Sequence, residues 1–435
     1  WDGRYTGIRM CNQLLENIDR VPDLDPELKK RYIGEAKVLR AYSYYELYTK
    51  FGDIPYTTKV LSIKESMSIA RTAKATVIAN VLADLDEVIN GNYLPTSYDA
   101  DNKGRITRWA AMAIKAKIYL FEGNWTQVKN ITSTIMTEGG FKLFGSYAGL
   151  FEIANEYNSE VILDAQYRPT SREHQMMYVF LPPTLGGYSQ LSPLQELVDS
   201  YIMLDGKTIK ETGTSFDESH PYANRDPRLK ATVMYTGNSY TLADGTEVVI
   251  NCEKGEGKDG YGVGSDCSAT GYYIKKYWDN TYRATLYSGL NPILIRYADI
   301  LLMNAEALAE LGELDKTAWD ATIKPIRDRA GFTLASALEF PEGASKDKLI
   351  EIVRNERRSE LALEGHRHKD IIRWRIADNV LNGWCHGLKT NDVVGTDDGY
   401  VRVENRTFNA NKHYLWPIPQ AERDLNGNLE QNPNW

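Results

Sequence analysis

The chain has 435 residues, enough to bury a sizeable core, and 42% apolar with 25% charged residues is the makeup of a folded globular protein rather than a disordered one. Asp and Glu (59) outnumber Lys and Arg (51), giving a net charge of −8 that argues against a nucleic-acid partner. No run of about 18 uncharged apolar residues occurs, so no membrane-spanning helix is expected; residues 1–17 are not built as a signal peptide, so any export signal is expected upstream of them.

Helical period begins at 31–51, RYIGEAKVLRAYSYYELYTKF, where Tyr42, Tyr45 and Tyr48 follow helical spacing and are expected in the core. A second helix is expected over 107–122, with Trp109, Ala113, Ala116, Leu120 and Gly123 on one face. A third covers 293–311, where Ala298, Leu302, Ala305, Ala309 and Gly312 repeat that face; aligning Gly123 with Gly312 places Ala116 on Ala305. In both, a glycine in a left-handed cap closes the first helix, and a second helical segment follows a short turn. Small residues let the paired helices approach closely. Repeated hairpins of this kind stack as tetratricopeptide-like units. A fourth helix is expected over 346–364.

The intervening segments read differently. Residues 140–292 hold turn signals and short β-rich pieces (EVILDAQY, KATVMY, TEVVI, YYIKKY), and residues 380–435 read as irregular. Both are too rich in Tyr and Trp for disorder. The fold class expected is mainly α: four divergent tetratricopeptide-like helix pairs forming a right-handed scaffold, with a loop-rich lobe containing short β-strands. The scaffold would take about 1–139, 293–330 and 345–378, and the aromatic lobe about 140–292 and 380–435, within a single domain over 1–435.

Motifs for chemistry are sparse. GEGKDG at 255–260 fits G-x-G-x-x-G, but GYGVGSD follows it instead of a helix, and Glu253, Glu256 and Asp259 would repel phosphate. Asp259 and Asp266 could meet a hard cation, yet EF-hand spacing is absent and a solvated loop is favoured. No zinc, P-loop or hydrolase-elbow motif occurs; neither a metal nor a cofactor is expected, and no carboxylate pair stands out for glycoside hydrolysis. Cys252 and Cys267 flank a glycine-rich loop, and a bridge between them would suit an oxidising compartment and not the cytosol, so the sequence leaves both states open. The densest charged stretch, NERRSELALEGHRHKDIIRWR at 355–375, balances both signs. An ion-pair lattice that fixes helix register is favoured there over a catalytic or phosphate-binding cluster.

Four segments in order resemble one family. RYIGEAKVLRAYSYYELYTKFGDIPY, NPILIRYADILLMNAEALAELG, VRNERRSELALEGHRHKDIIRW and YLWPIPQAERDLNGNLEQNPNW are similar to signatures of the SusD/RagB family of surface nutrient-binding lipoproteins. The resemblance implies a non-catalytic protein that binds glycans at the outward face of the bacterial outer membrane. It implies a lipid anchor upstream of this chain and delivery of the glycan to a SusC-like TonB-dependent transporter. Some members capture peptides, which is the alternative; a glycoside hydrolase is a more distant one. The export context favours the Cys252–Cys267 bridge. Sugar capture asks for rings on apolar sugar faces and planar polar groups for hydroxyls. Candidate ligand residues are Tyr188, Gln190, Tyr261, Trp278, Asn280, Tyr282, Arg283 and Tyr287, whereas Glu356, Arg357, Glu364 and Trp374 are assigned to architecture.

Overall fold

The computed structural model describes residues 1–282 and 285–435, and these divide into two compact units. The first comprises residues 1–140, 368–381 and 408–435; the second comprises 141–367 and 382–407.

The first unit is helical. Helices Asp2–Asn17, Pro26–Phe51, Lys74–Asn90, Arg108–Phe121 and Trp125–Glu138 pack each on the next. The second of these starts earlier than its periodicity predicts, because Asp25 caps it (its carboxylate accepts from Leu28 N–H at 2.8 Å) and Pro26 takes the first turn. Tyr45 and Tyr48 are buried as expected, while Tyr42 is half-buried with the Arg4 guanidinium over its ring. Ala110, Ala113 and Ala116 are fully buried on the Arg108–Phe121 helix, where small side chains let its neighbours approach closely. Gly123 follows that helix at φ +71°, a left-handed conformation that costs an L side chain about 1–2 kcal/mol.

The second unit holds the remaining helical scaffold together with all nine strands of the described residues. Helix Tyr297–Leu311 packs against Ile323–Ala330 and Lys346–Glu360. Its stripe Ala298, Leu302, Ala305 and Ala309 is buried, and Gly312 caps it at φ +74°. Three expectations are corrected here. Residues Ile293–Arg296 form a strand (β6) that pairs antiparallel with β1, Val161–Asp164, so the helix begins only at Tyr297. The Lys346–Glu360 helix stops at Glu360, since the turn after it takes Leu363 to φ +64° and Gly365 to φ +80°. The stretch after 380 is not irregular throughout: β7 (Gly383–Lys389), β8 (Thr396–Asp397) and β9 (Tyr400–Arg406) make an antiparallel sheet in the order β7-β9-β8.

The rest of the β structure is three two-stranded ladders, and no sheet closes among the described residues: besides β1–β6, β2 (Val233–Met234) pairs β5 (Tyr273–Ile274), and β3 (Ser239–Thr241) pairs β4 (Glu247–Val249). Their core is aromatic, built on Tyr147, Phe151, Phe180, Tyr201, Tyr240, Tyr272, Tyr273 and Tyr277. No helix of the described residues is long and apolar enough to cross a membrane.

Candidate functional site

The second unit carries a cleft of about 920 Å³ whose walls are set by two strand registers. Val233 opposite Ile274 and Met234 opposite Tyr273 bring the next residues, Tyr235 and Tyr272, to the same end of that ladder. Lys389 opposite Tyr400 puts another wall at the end of β7 and β9. The two ladders are tied by Leu388 N–H, which donates to Thr270 C=O at 2.7 Å. That approach needs Gly387: a Cβ there would lie 2.6 Å from the Thr270 oxygen.

Tyr222, from the turn-rich loop before the Pro227–Thr232 helix, stacks on Tyr235 with ring centroids 3.9 Å apart and an interplanar angle of 16°. Its hydroxyl lies 3.2 Å from that of Tyr272, which donates to Gln195 Oε1 at 2.5 Å. Burial pushes the Tyr222 phenol up to about 12, so it stays protonated and able to donate at neutral pH. Two half-buried stacked rings, a third ring in Tyr400 and the polar groups of Asn391, Thr390 and Gln195 therefore line one concave surface. Flat apolar faces beside planar hydrogen-bonding groups can hold a sugar ring without long-range charge.

The residues singled out from the sequence lie elsewhere. Trp278 and Tyr282 come together, with ring centroids 5.2 Å apart, but both pack on the aromatic core. The Trp278 indole N–H donates to Thr241 C=O at 2.9 Å, and the Tyr282 hydroxyl donates to Leu185 C=O at 3.2 Å. Tyr188 is 41% exposed and stacks on Tyr178 at 4.2 Å. Tyr287 is 39% exposed, Gln190 is exposed, Asn280 and Tyr261 are half-buried, and Arg283 lies outside the described residues. None of the described ones lines the cleft. The cleft tyrosines come from four separate segments, and no spacing in the sequence connects them.

Cys252 and Cys267 are free thiols, not the bridge expected. Backbone bonds close the loop instead: Gly255 N–H donates to Tyr261 C=O at 3.0 Å, and Tyr261 N–H returns to Cys252 C=O at 3.2 Å. Burial pushes the Cys252 thiol up to about 12, and Cys267 Sγ donates to Lys258 C=O at 3.3 Å. Asp259 is buried, accepting from Thr184 N–H at 2.7 Å. Among the described residues no group of three or more His, Cys, Asp or Glu is placed to hold a metal ion.

The charged stretch builds a buried lattice. Glu360 accepts from Arg228 at 2.9 Å, from Arg296 at 2.6 Å and from Arg329. Glu356 pairs with Arg228 and with Arg327, both at 2.7 Å. Glu364, reaching in from the turn, takes Arg296 Nε at 2.8 Å, Arg296 Nη2 at 2.7 Å and Lys276 Nζ at 2.7 Å. Burial alone would raise the Glu364 carboxyl, but Arg296 and Lys276 outweigh it and hold it down at about 2. Burial also draws the Lys276 ammonium down to about 8 against the pull of Glu364. Arg357 pairs across to Asp299 at 2.9 Å and to Glu306 at 3.7 Å, and Arg354 likewise reaches Glu310 at 2.9 Å. Trp374, in the other unit, is buried with the Arg373 guanidinium over its ring at 4.9 Å.

Comparison with known proteins bears on the whole chain. Residues 150–435 match the model of the SusD family, and residues 1–120 match one described as starch-binding associating with outer membrane. The SusD-like protein P25 of Formosa agariphila is 28% identical over 405 residues, covering 88% of this chain and 71% of its own. A SusD-like protein of Bacteroides ovatus is 22% identical over 92% of this chain and 70% of its own. Among solved structures, a SusD-like carbohydrate binding protein from Bacteroides fragilis is 29% identical and superposes with a TM-score of 0.89 over 99% of this chain and 85% of that one. A second SusD-like protein from the same species is 28% identical, with a TM-score of 0.84 over 100% of this chain and 85% of that one. With the family model matching well over half of its length, this chain belongs to the SusD family.

Proposed function

We propose that this protein binds glycans without turning them over, at the outward face of a bacterial outer membrane, and passes them to a TonB-dependent transporter of the SusC type. The observation that carries the binding reading is the cleft: Tyr222 stacked on Tyr235, with Tyr400 and planar polar side chains on the same concave wall. Family membership supports it, as does the similarity to a Bacteroides fragilis protein described as carbohydrate binding. The transporter, the lipid anchor upstream of Trp1, the outward orientation and a single SusD-like domain over 1–435 rest on the family resemblance. The absence of turnover rests on the same footing. The residues selected from the sequence, Tyr188, Tyr287, Trp278, Tyr282, Tyr261, Gln190, Asn280 and Arg283, are kept as a second candidate set, favoured by the exposure of Tyr188 and Tyr287.

Calorimetric titration with a panel of soluble oligosaccharides and a peptide digest, with product analysis of each mixture, tests the reading. Saturable binding of one glycan class without cleavage is expected, and Tyr235→Ala is expected to weaken it by about 1–3 kcal/mol, the worth of a buried ring contact. Cleavage of the bound oligosaccharide, or binding confined to peptides, would refute it.

A further inference from the structure

The charges around the cleft are not balanced in the way its composition suggests. Two lysines line it, and each is already held by a carboxylate: Lys389 by Glu218 at 2.8 Å and Lys254 by Asp392. Two further carboxylates on the same wall, Glu253 and Glu256, are exposed and have no cation within 4.0 Å among the described residues. His220, the remaining titratable base of the lining, is engaged by Asp217 at 2.9 Å. Among the described residues no arginine lines the cleft, so they offer no guanidinium fork for a carboxylate or a sulfate.

From this juxtaposition we infer that the cleft selects uncharged glycans and rejects uronate- and sulfate-bearing ones, with Glu253 and Glu256 as the discriminating residues. An acidic sugar seated on the tyrosine pair would meet two unneutralised carboxylates. Any lysine it recruited would have to be shared with the carboxylate that already neutralises it, so that the carboxylate counts as a third like charge beside the ligand. A neutral sugar meets neither cost. Its hydroxyls can donate to Glu253 and Glu256, since ionised carboxylates are acceptors only, while Asn391 and the tyrosine hydroxyls supply donors. The inference rests on the reading that the cleft binds glycan.

The test uses the full chain and matched pairs: maltoheptaose, laminariheptaose and mannohexaose, each beside its counterpart oxidised to the carboxylate at C6. At low salt, at least one neutral oligosaccharide is expected to bind saturably, with its oxidised counterpart about tenfold weaker or worse. The gap is expected to shrink at 0.5 M salt, as screening demands. It is also expected to shrink to under about threefold in the double variant Glu253→Gln/Glu256→Gln. An oxidised form that binds as well as its neutral partner overturns the inference and leaves glycan binding standing. A gap that the double variant leaves intact overturns the assignment of Glu253 and Glu256. Binding that Tyr235→Ala does not alter moves the site away from the cleft and overturns the inference with it. If no member of any pair binds, both the inference and the glycan reading fall.

Discussion

Glu364→Ala is the sharpest test of the buried lattice. The Glu364 side chain is 1% exposed and takes three charge-assisted hydrogen bonds, two from Arg296 and one from Lys276. Arg296 survives the loss, because Glu160 at 2.7 Å and Glu360 at 2.6 Å still hold it. Lys276 loses its one carboxylate partner among the described residues: its ammonium keeps the Tyr147 hydroxyl at 2.9 Å, the carbonyls of Ala362 and Glu360 and the Phe151 ring at 4.3 Å, none of which carries a compensating charge. One uncompensated buried cation costs about 3–5 kcal/mol. For a unit of this size that is a fall in melting temperature of roughly 6–20 °C. The double variant Glu364→Ala/Lys276→Met removes the orphan together with its partner and should recover more than half of the loss. Thermal and urea unfolding of the wild type, both single variants and the double variant close the cycle. An unchanged melting temperature in Glu364→Ala, or a double variant no better than the single, would refute the reasoning. The acid limb gives an independent check. The Glu364 carboxyl is held at about 2 in the fold against 4.5 when free, so its contribution is complete above pH 4.5 and is lost as pH falls through about 2.

Other outcomes follow from particular contacts. Burial opposes charge on His386, but Asp397 and Glu196 outweigh it and raise its pKa; the contribution is present below 6.5 and fades as pH rises through the raised value. The groups facing it are Glu196 at 2.8 Å on Nδ1 and Asp397 at 3.1 Å on Nε2, with Arg402 on Asp397 and Arg358 on the Glu196 carbonyl. From pH 5.5 to 8 the melting temperature should therefore fall more steeply in the wild type than in His386→Gln; parallel curves would count against this role for His386. Trp278→Ala should lower stability by about 2–4 kcal/mol, because it loses the bond to Thr241 and the ring contacts with Tyr240 and Tyr282. A melt identical to wild type with affinity lost would instead move the site to the second surface. Gly387→Ala should weaken glycan binding at least tenfold while the helical first unit melts as before, since a Cβ 2.6 Å from Thr270 C=O forces the two ladders apart; unchanged affinity would show that the cleft wall does not bear on binding.

Much of the helical scaffold could be read before any coordinates. Gly123 and Gly312 take the left-handed caps that their spacing predicts, and the alanines ahead of them are buried. What failed was the short apolar run ILIR at 293–296, whose composition suits a buried strand as well as a helix, and only the partner strand β1 decides between them. Glu364 pairs with Arg296, but the helix expected over 346–364 ends at Glu360, and a turn delivers the side chain. Strands β7 and β9 were hidden because glycine, histidine and alternating charges dilute their period. The cleft was invisible for a topological reason: Tyr222, Tyr235, Tyr272 and Tyr400 become neighbours only through two registers and the Thr270–Leu388 tie.

The lattice also constrains the order in which the chain can fold. Its members are drawn from Glu160, Arg228, Lys276, Arg296, Arg329 and the stretch from Glu356 to Glu364, so the last acids appear some two hundred residues after the first. Until Glu364 arrives, Lys276 has no carboxylate partner among the described residues and cannot be desolvated without leaving a bare cation, whereas Arg228 has Asp226 two residues away at 2.7 Å; the aromatic core around Lys276 therefore cannot close early. Such a chain should fold late and all at once in this unit, through contacts of high sequence separation, with the 356–364 segment acting as the closing latch.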